Sequence, residues 1–323
     1  MTGFSKLRRT TVAAGCLMFA GLGLAQSYPG KPITLVVPYP AGAAVDRVGR
    51  ALATQMSQRL GITIVVENVG GASGSIGARK VQRSPADGYT LLLGTVNDMV
   101  VAPVVLKAGY SVKDFTPIAR LSVNSTVLVA HPGFPANNVD EMVAFAKSSA
   151  LPLQSGATGV AMMQTIGGTL LAEAAGFKME HVVYKGGAPL MQDLVAGQVK
   201  LGTVALTSAL PLIREGKLKA LGVISEQRDP SAPNIPAIHE SKTFKGITAD
   251  LWTGLFAPAN LPAPVLARLT AAVREVLLDP SYRAAEFKAG SIVVEPGEPQ
   301  AFAAYLHNEV TRLQPVLNTI KVD

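Results

Sequence analysis

Four glycine-rich stretches in this chain each follow a short apolar run, and each can bring backbone N–H groups close to a ligand. The first, Val37 to Asp46, reads VPYPAGAAVD. Pro38 and Pro40 stiffen it and lack N–H groups, which leaves Ala41, Gly42, Ala43 and Ala44 as donors at the positive end of the helix that follows. Free N–H groups at such an end suit a carboxylate or a phosphate. The second stretch, NVGGASGSIG at Asn68 to Gly77, has glycines such as Gly71 for close backbone approach, and Ser73 and Ser75 as helix-capping hydroxyls. Its glycines stand at Gly70, Gly71, Gly74 and Gly77, a spacing that does not fit G-x-G-x-x-G, and no Walker lysine follows. The third is QSGATG at Gln154 to Gly159. The fourth is YKGGAP at Tyr184 to Pro189, where Pro189 suits a first helical turn and Gly197 the end of that helix. One such loop alone reads as a tight turn between strand and helix. Four, two from each presumed domain, point to a ligand held between domains.

Catalytic chemistry finds little support. No serine lies in a G-x-S-x-G elbow, there is no H-E-x-x-H, and the one cysteine, Cys16, is in a segment expected to be removed. His131, His181, His239 and His307 are scattered without cysteine partners, which argues against a metal site. Asp46 reads as a first-turn acid favoured by the helix dipole, in a position that also lets it face a cleft. Tyr39 and Tyr184 read first as turn-packing residues, and Trp252 as a core residue.

The elements that position these loops follow from periodicity. ITLVVPY, a helix over Ala44 to Leu60, ITIVVEN, a helix near Ser75 to Arg83 and YTLLLGT alternate strand with helix, the pattern of a parallel α/β sheet. Val45, Val48, Leu52, Met56 and Leu60 make one apolar stripe on the first helix, and Gly61 ends it. A second alternating block runs from Ser125 through helices at Val139 to Lys147 and up to Ala175, then HVVY, VKLGTVAL and KALGVIS. LWTGLFAP begins a return to the first unit, followed by helices at Val265 to Leu278 and Gln300 to Asn318. The expectation is α/β, two doubly wound domains around a ligand cleft: residues 26–124 plus 249–323 form one and residues 125–248 the other.

Composition fits that picture. The 323 residues are 48% hydrophobic and 16% charged, enough for a real core. KLRR at Lys6 to Arg9, an apolar run from Val12 to Leu24 and a small-x-small triplet ending at Ala25 have the order of a signal peptide, with cleavage after Ala25. Lipidation at Cys16 is the alternative. Losing Lys6, Arg8 and Arg9 takes the formal charge from +7 to +4, too weak an excess to favour nucleic acid. The mature chain would carry no disulfide.

Laid side by side, these blocks resemble the Bug family, the extracytoplasmic solute receptors of tripartite tricarboxylate transporters. The resemblance rests on YPGKPITLVVPYPAGAAVD, VVENVGGASGSIGA, SPADGYTLLLGT, VVYKGGAPLMQDLVAGQVKLG, REGKLKALGVIS and LWTGLFAPANLPAPVLARL, in that order over about residues 28 to 290. It implies a periplasmic binding protein of the type II kind that closes about a hinge, with no chemistry performed on the ligand. The loop after the first strand, Tyr39 to Ala43, and the loop Lys185 to Ala188, with Gly186 and Gly187, would pinch a ligand carboxylate through backbone N–H groups and ordered water. Ser155, Thr158, Thr207 and Ser208 are the candidates for its far end. The chain departs from the family at Ala43 (usually glycine), at Val69 and Gly70 (usually Arg-Pro) and near Gln164 and Thr165 (often a histidine); Ala43 keeps its N–H, so the departures bear on which ligand is held. The expected partners are a small organic carboxylate and the membrane subunits of such a transporter, with no cofactor and the receptor a monomer. A ligand-presenting component of a signalling system is the rival reading, and a secreted enzyme on the same fold a weaker one.

Overall fold

The computed structural model describes residues 28–320. The leader expected over residues 1–25, and Cys16 with it, lie outside the described residues. The apolar run at Ile33–Val37 forms strand β1, and the 17-residue helix α1 follows at Ala44–Leu60. Val48, Leu52, Met56 and Leu60 of its stripe are buried, and Gly61 closes it in the left-handed region at φ 68°. Four such side chains, each contributing roughly 1.5–3 kcal/mol on burial, hold the helix to the sheet. Strand β2 (Ile64–Asn68), helix α2 (Ser75–Gln82) and strand β3 (Thr90–Thr95) complete a parallel set in the order β2-β1-β3.

A π-helical turn at Asn97–Val101 runs into the short α3 (Ala102–Val105), and β4 (Phe115–Asn124) then carries the chain toward the second sheet. That sheet contains β5 (Thr126–Ala130), β6 (Leu153–Ala157), β7 (Met179–Val183), β8 (Leu201–Ala205) and β9 (Lys219–Val223). Helices α4 (Val139–Ser148), α5 (Met163–Ala175), α6 (Gly187–Ala196) and α7 (Leu206–Arg214) connect them. The chain returns in β10 (Leu251–Pro258) and ends with α8 (Ala263–Leu278), α9 (Pro280–Lys288), the two-residue β11 (Ile292–Val293) and α10 (Pro299–Leu317). The sheets read β11-β4-β10-β3-β1-β2 and β7-β6-β8-β5-β9.

The α/β class is therefore as expected, but the sheets are mixed rather than wholly parallel. β6 pairs parallel with β7 and β8, whereas β5 runs antiparallel to β8 and β9, and β10 antiparallel to β3 and β4. The short β11 also runs antiparallel to β4, and the reversed strands β5 and β10 are next to the points where the chain passes from one sheet to the other. There the outgoing and returning segments are tied together: the Thr126 hydroxyl donates to the Ala249 carbonyl at 2.6 Å, and the Ala249 N–H to the Ile224 carbonyl at 2.8 Å. Trp252, fully buried on β10, donates its indole N–H to Glu309 at 3.3 Å and stands edge-on to Phe302 and Tyr305, which fastens α10 to the sheet. No helix among the described residues is long and apolar enough to cross a membrane.

Candidate functional site

The loops of interest leave the carboxyl ends of parallel strands, where open α/β sheets place their ligands. Two contacts show that these ends of the two sheets face each other. The N–H of Met163, opening α5 after β6, donates to the Asn97 side-chain oxygen after β3 at 2.7 Å. Thr207, at the start of α7 after β8, lines a small cavity of about 50 Å³ together with Ala44, Val45, Asn124 and Thr253. The N-terminus of α1 thus looks across a gap at a hydroxyl-bearing loop of the other sheet.

Within VPYPAGAAVD the donors are not all the expected ones. Gly42 sits at φ 83°, a conformation that costs glycine little, and its N–H donates to the Asp46 carboxylate at 2.9 Å. The Ala43 N–H donates to the Pro40 carbonyl at 3.2 Å. Two of the four expected donors, Gly42 and Ala43, are thus committed to closing the turn. The N–H groups of Ala41, and of Ala44, Val45 and Asp46 in the first turn of α1, donate to no group among the described residues. Of the four expected donors Ala41 and Ala44 are therefore left open, and the open run continues into Val45 and Asp46 of α1.

Asp46 also departs from expectation. It is 3% exposed and turned into the loop rather than toward the gap: it accepts from Gly42 N–H, from Asn68 Nδ2 at 2.8 Å and from Arg50 Nε at 3.0 Å. Burial raises its pKa, but these donors and the Arg50 charge outweigh that and hold it at about 2. Arg47, one residue on, is paired through both terminal nitrogens with Glu286, at 2.7 and 2.9 Å.

Tyr39 is an anchor. Its hydroxyl meets Thr95 Oγ1 at 2.9 Å and donates to Asp98 Oδ1 at 3.2 Å, pinning the loop to the end of β3. Asp98 is fully buried, accepting from the Thr95 N–H at 3.0 Å and its hydroxyl at 2.5 Å, and burial lifts its pKa to about 7 against those bonds. Thr95, Asn97, Asp98 and Asn124 were not singled out from the sequence. The only hint is that TVND follows an apolar strand, in the same relation to β3 as PYPAG to β1.

The second loop supports the first. Neither Ser73 nor Ser75 caps α2: the N-cap is Gly74 and no side chain serves it. Ser73 instead has φ 53°, and Gly71 φ 122°. A Cβ at Gly77 would lie 2.7 Å from the Val69 carbonyl oxygen and 2.9 Å from Pro38 Cβ, so this glycine lets α2 lie against the loop that follows β1. Gly77→Ala is expected to destabilise the fold by about 1–3 kcal/mol, as overpacking does, read as a lowered urea midpoint with unchanged slope.

In the second half, Ser155 is completely buried in β6, in register with His181 of β7. Its hydroxyl is sealed from solvent and has no hydrogen-bond partner. The side-chain oxygens of Thr158 and Gln164, beside the α5 N-terminus, are sealed from solvent and unpartnered. The Tyr184 hydroxyl donates to Asp193 at 2.9 Å, a packing role. Gly186 is the N-cap of α6 at φ 110°, Gly187 and Ala188 open that helix and are exposed, and Gly197 ends it at φ 73°. No cluster of three or more His, Cys, Asp and Glu that could hold a metal occurs among the described residues.

The comparisons agree with this architecture. The model of the tripartite tricarboxylate transporter family receptor matches residues 48–322. A UPF0065 protein of Bordetella pertussis is 32% identical over 323 residues, 99% of this chain and 98% of its own. Among solved structures, MatC from Rhodopseudomonas palustris with bound malate superposes with a TM-score of 0.80 at 32% identity, covering 90% of this chain and 100% of its own. A second R. palustris protein, solved with adipate, gives 0.81 at 28% identity, covering 91% and 98%. With the family model spanning most of the chain and the two-sheet fold shared, this chain belongs to the tripartite tricarboxylate transporter family of receptors.

Proposed function

We propose that this chain is a periplasmic solute-binding protein that captures a small organic carboxylate and delivers it to the membrane subunits of a tripartite tricarboxylate-type transporter. The observation that carries the reading is the open first turn of α1, whose N–H groups look across a gap at Thr207 and Asn124. A helix end of this kind favours negative charge, and its backbone donors fit a carboxylate without a titrating side chain. Malate and adipate, held by the two R. palustris relatives, are the carboxylates to try first.

In this reading residues 26–124 with 249–323 form one domain and 125–248 the other, closing about the tied segments at Asn124 to Thr126 and Ala249 to Leu251. Ala41, Ala44, Val45 and Asp46 N–H groups take one ligand carboxylate. Gly42, Ala43 and Tyr39 shape the loop, and Asp46 holds it. Gly71 and Ser73 back it from the second loop. Thr158, Thr207 and the Gly186 to Ala188 turn face the ligand from the other side. In this reading the receptor performs no chemistry on the ligand, which leaves unchanged.

Export is tested separately. The full-length gene expressed in a Gram-negative host is expected to yield periplasmic protein beginning at Gln26, read by intact mass. An uncleaved chain, or a lipid on Cys16, would contradict the soluble receptor.

A further inference from the structure

Away from the gap, on the face where α10 covers the β11-β4 edge, lies a larger cavity of about 160 Å³. We infer that it is a second anion site, taking a small monocarboxylate with a planar apolar body, of the benzoate kind, on Arg120. The Arg120 guanidinium lies over the Tyr305 ring, 4.0 Å from its centre. Its Nε is sealed from solvent without a partner, and the Arg120 side chain forms no hydrogen bond or ion pair among the described residues. Its neighbour Glu309 is already engaged, accepting from Arg312 Nε at 3.0 Å and from the Trp252 indole at 3.3 Å.

A cation so placed has no carboxylate in ion-pair contact to offset its partial burial; its charged neighbour Asp250 acts on it only through space. A planar carboxylate suits the guanidinium fork, which offers parallel N–H donors at fixed geometry. The remaining wall is apolar, from Val294, Ala301 and the buried ring of Phe302, which fits a ring rather than a polar tail. The rim decides the charge. Glu295 is paired with Arg283 at 2.6 Å and Glu298 with Arg274 at 3.2 Å, so neither competes for Arg120, yet two exposed carboxylates disfavour a polyanion. The volume is well above the 10–15 Å³ or so that a single water needs.

The test uses 4-bromobenzoate soaked into crystals, located by bromine anomalous scattering, with 4-bromobenzamide as neutral control. The expected result is a bromine peak beside Phe302 for the acid and none for the amide. In solution, a 4-fluorobenzoate titration followed by ¹⁹F line width should show at least tenfold weaker binding at this site for Arg120→Gln. Ala301→Tyr, which fills the cavity from an exposed helix position, should remove it while leaving the melting temperature unchanged. A bromine peak only between the two sheets, equal occupancy of acid and amide, undiminished binding in either variant, or binding at crystal concentration only would each overturn the assignment.

Discussion

Replacing Asp98 with asparagine is expected to stabilise the protein at pH 8.5 and to do much less at pH 5. Asp98 is fully buried, with donors from Thr95 and Tyr39 but no cation among its hydrogen-bond partners, and burial lifts its pKa from 3.8 to about 7. Between those values the folded state holds a proton that the unfolded chain has released, so stability falls as pH rises through the window. A displacement of that size corresponds to something on the order of 4 kcal/mol above neutrality. Asparagine keeps an acceptor for the Thr95 N–H and never ionises. Thermal melts at the two pH values decide it. A variant equally shifted, or destabilised, at both would show that Asp98 is held as a carboxylate.

The second large effect concerns the loop itself: Asp46→Ala should lower stability by about 2–4 kcal/mol. Two donors, Gly42 N–H and Asn68 Nδ2, lose their acceptor, each worth about 1–3 kcal/mol where water cannot reach it, and the Gly42 end is exposed enough to recover part. The Arg50 pair adds at most about 1 kcal/mol, because Arg50 is half exposed. With its folded pKa held at about 2, Asp46 contributes stability that is complete above about 4 and is lost as pH falls through 2. Urea denaturation at pH 7 measures it. The loop around Gly42 should also loosen, weakening capture of any ligand at the α1 terminus. A midpoint within error of the wild type would remove Asp46 from the account.

Local signals in the sequence carry far in this protein. The apolar stripe and Gly61 define α1 to both of its ends, and Trp252 is core as its apolar strand implies. Strand direction has no such local signature, and β5 and β10 run opposite to the expected sense. The site was legible as a loop but not as a set of donors. Which N–H is free depends on the turn that Gly42 makes and on an acid four residues away, and composition does not report either. Asn97 has its partner, Met163, 66 residues away, and only the Tyr39 contact of Asp98, 59 residues distant, links it to the first loop. Glycines that read as ligand approach, Gly77 among them, serve loop-on-loop packing instead.

Carboxylate capture at the α1 terminus is tested most directly by melting the purified protein with malate and with adipate, each beside its neutral diamide. A ligand at 100 times its Kd stabilises by about 2.7 kcal/mol, which for a chain of this size raises the midpoint by roughly 5–10 °C. The predicted result is a rise of that order for at least one free acid and little for its diamide. Equal shifts for acid and diamide would contradict anion capture by the helix terminus, as would the absence of any shift across these acids and a wider carboxylate panel.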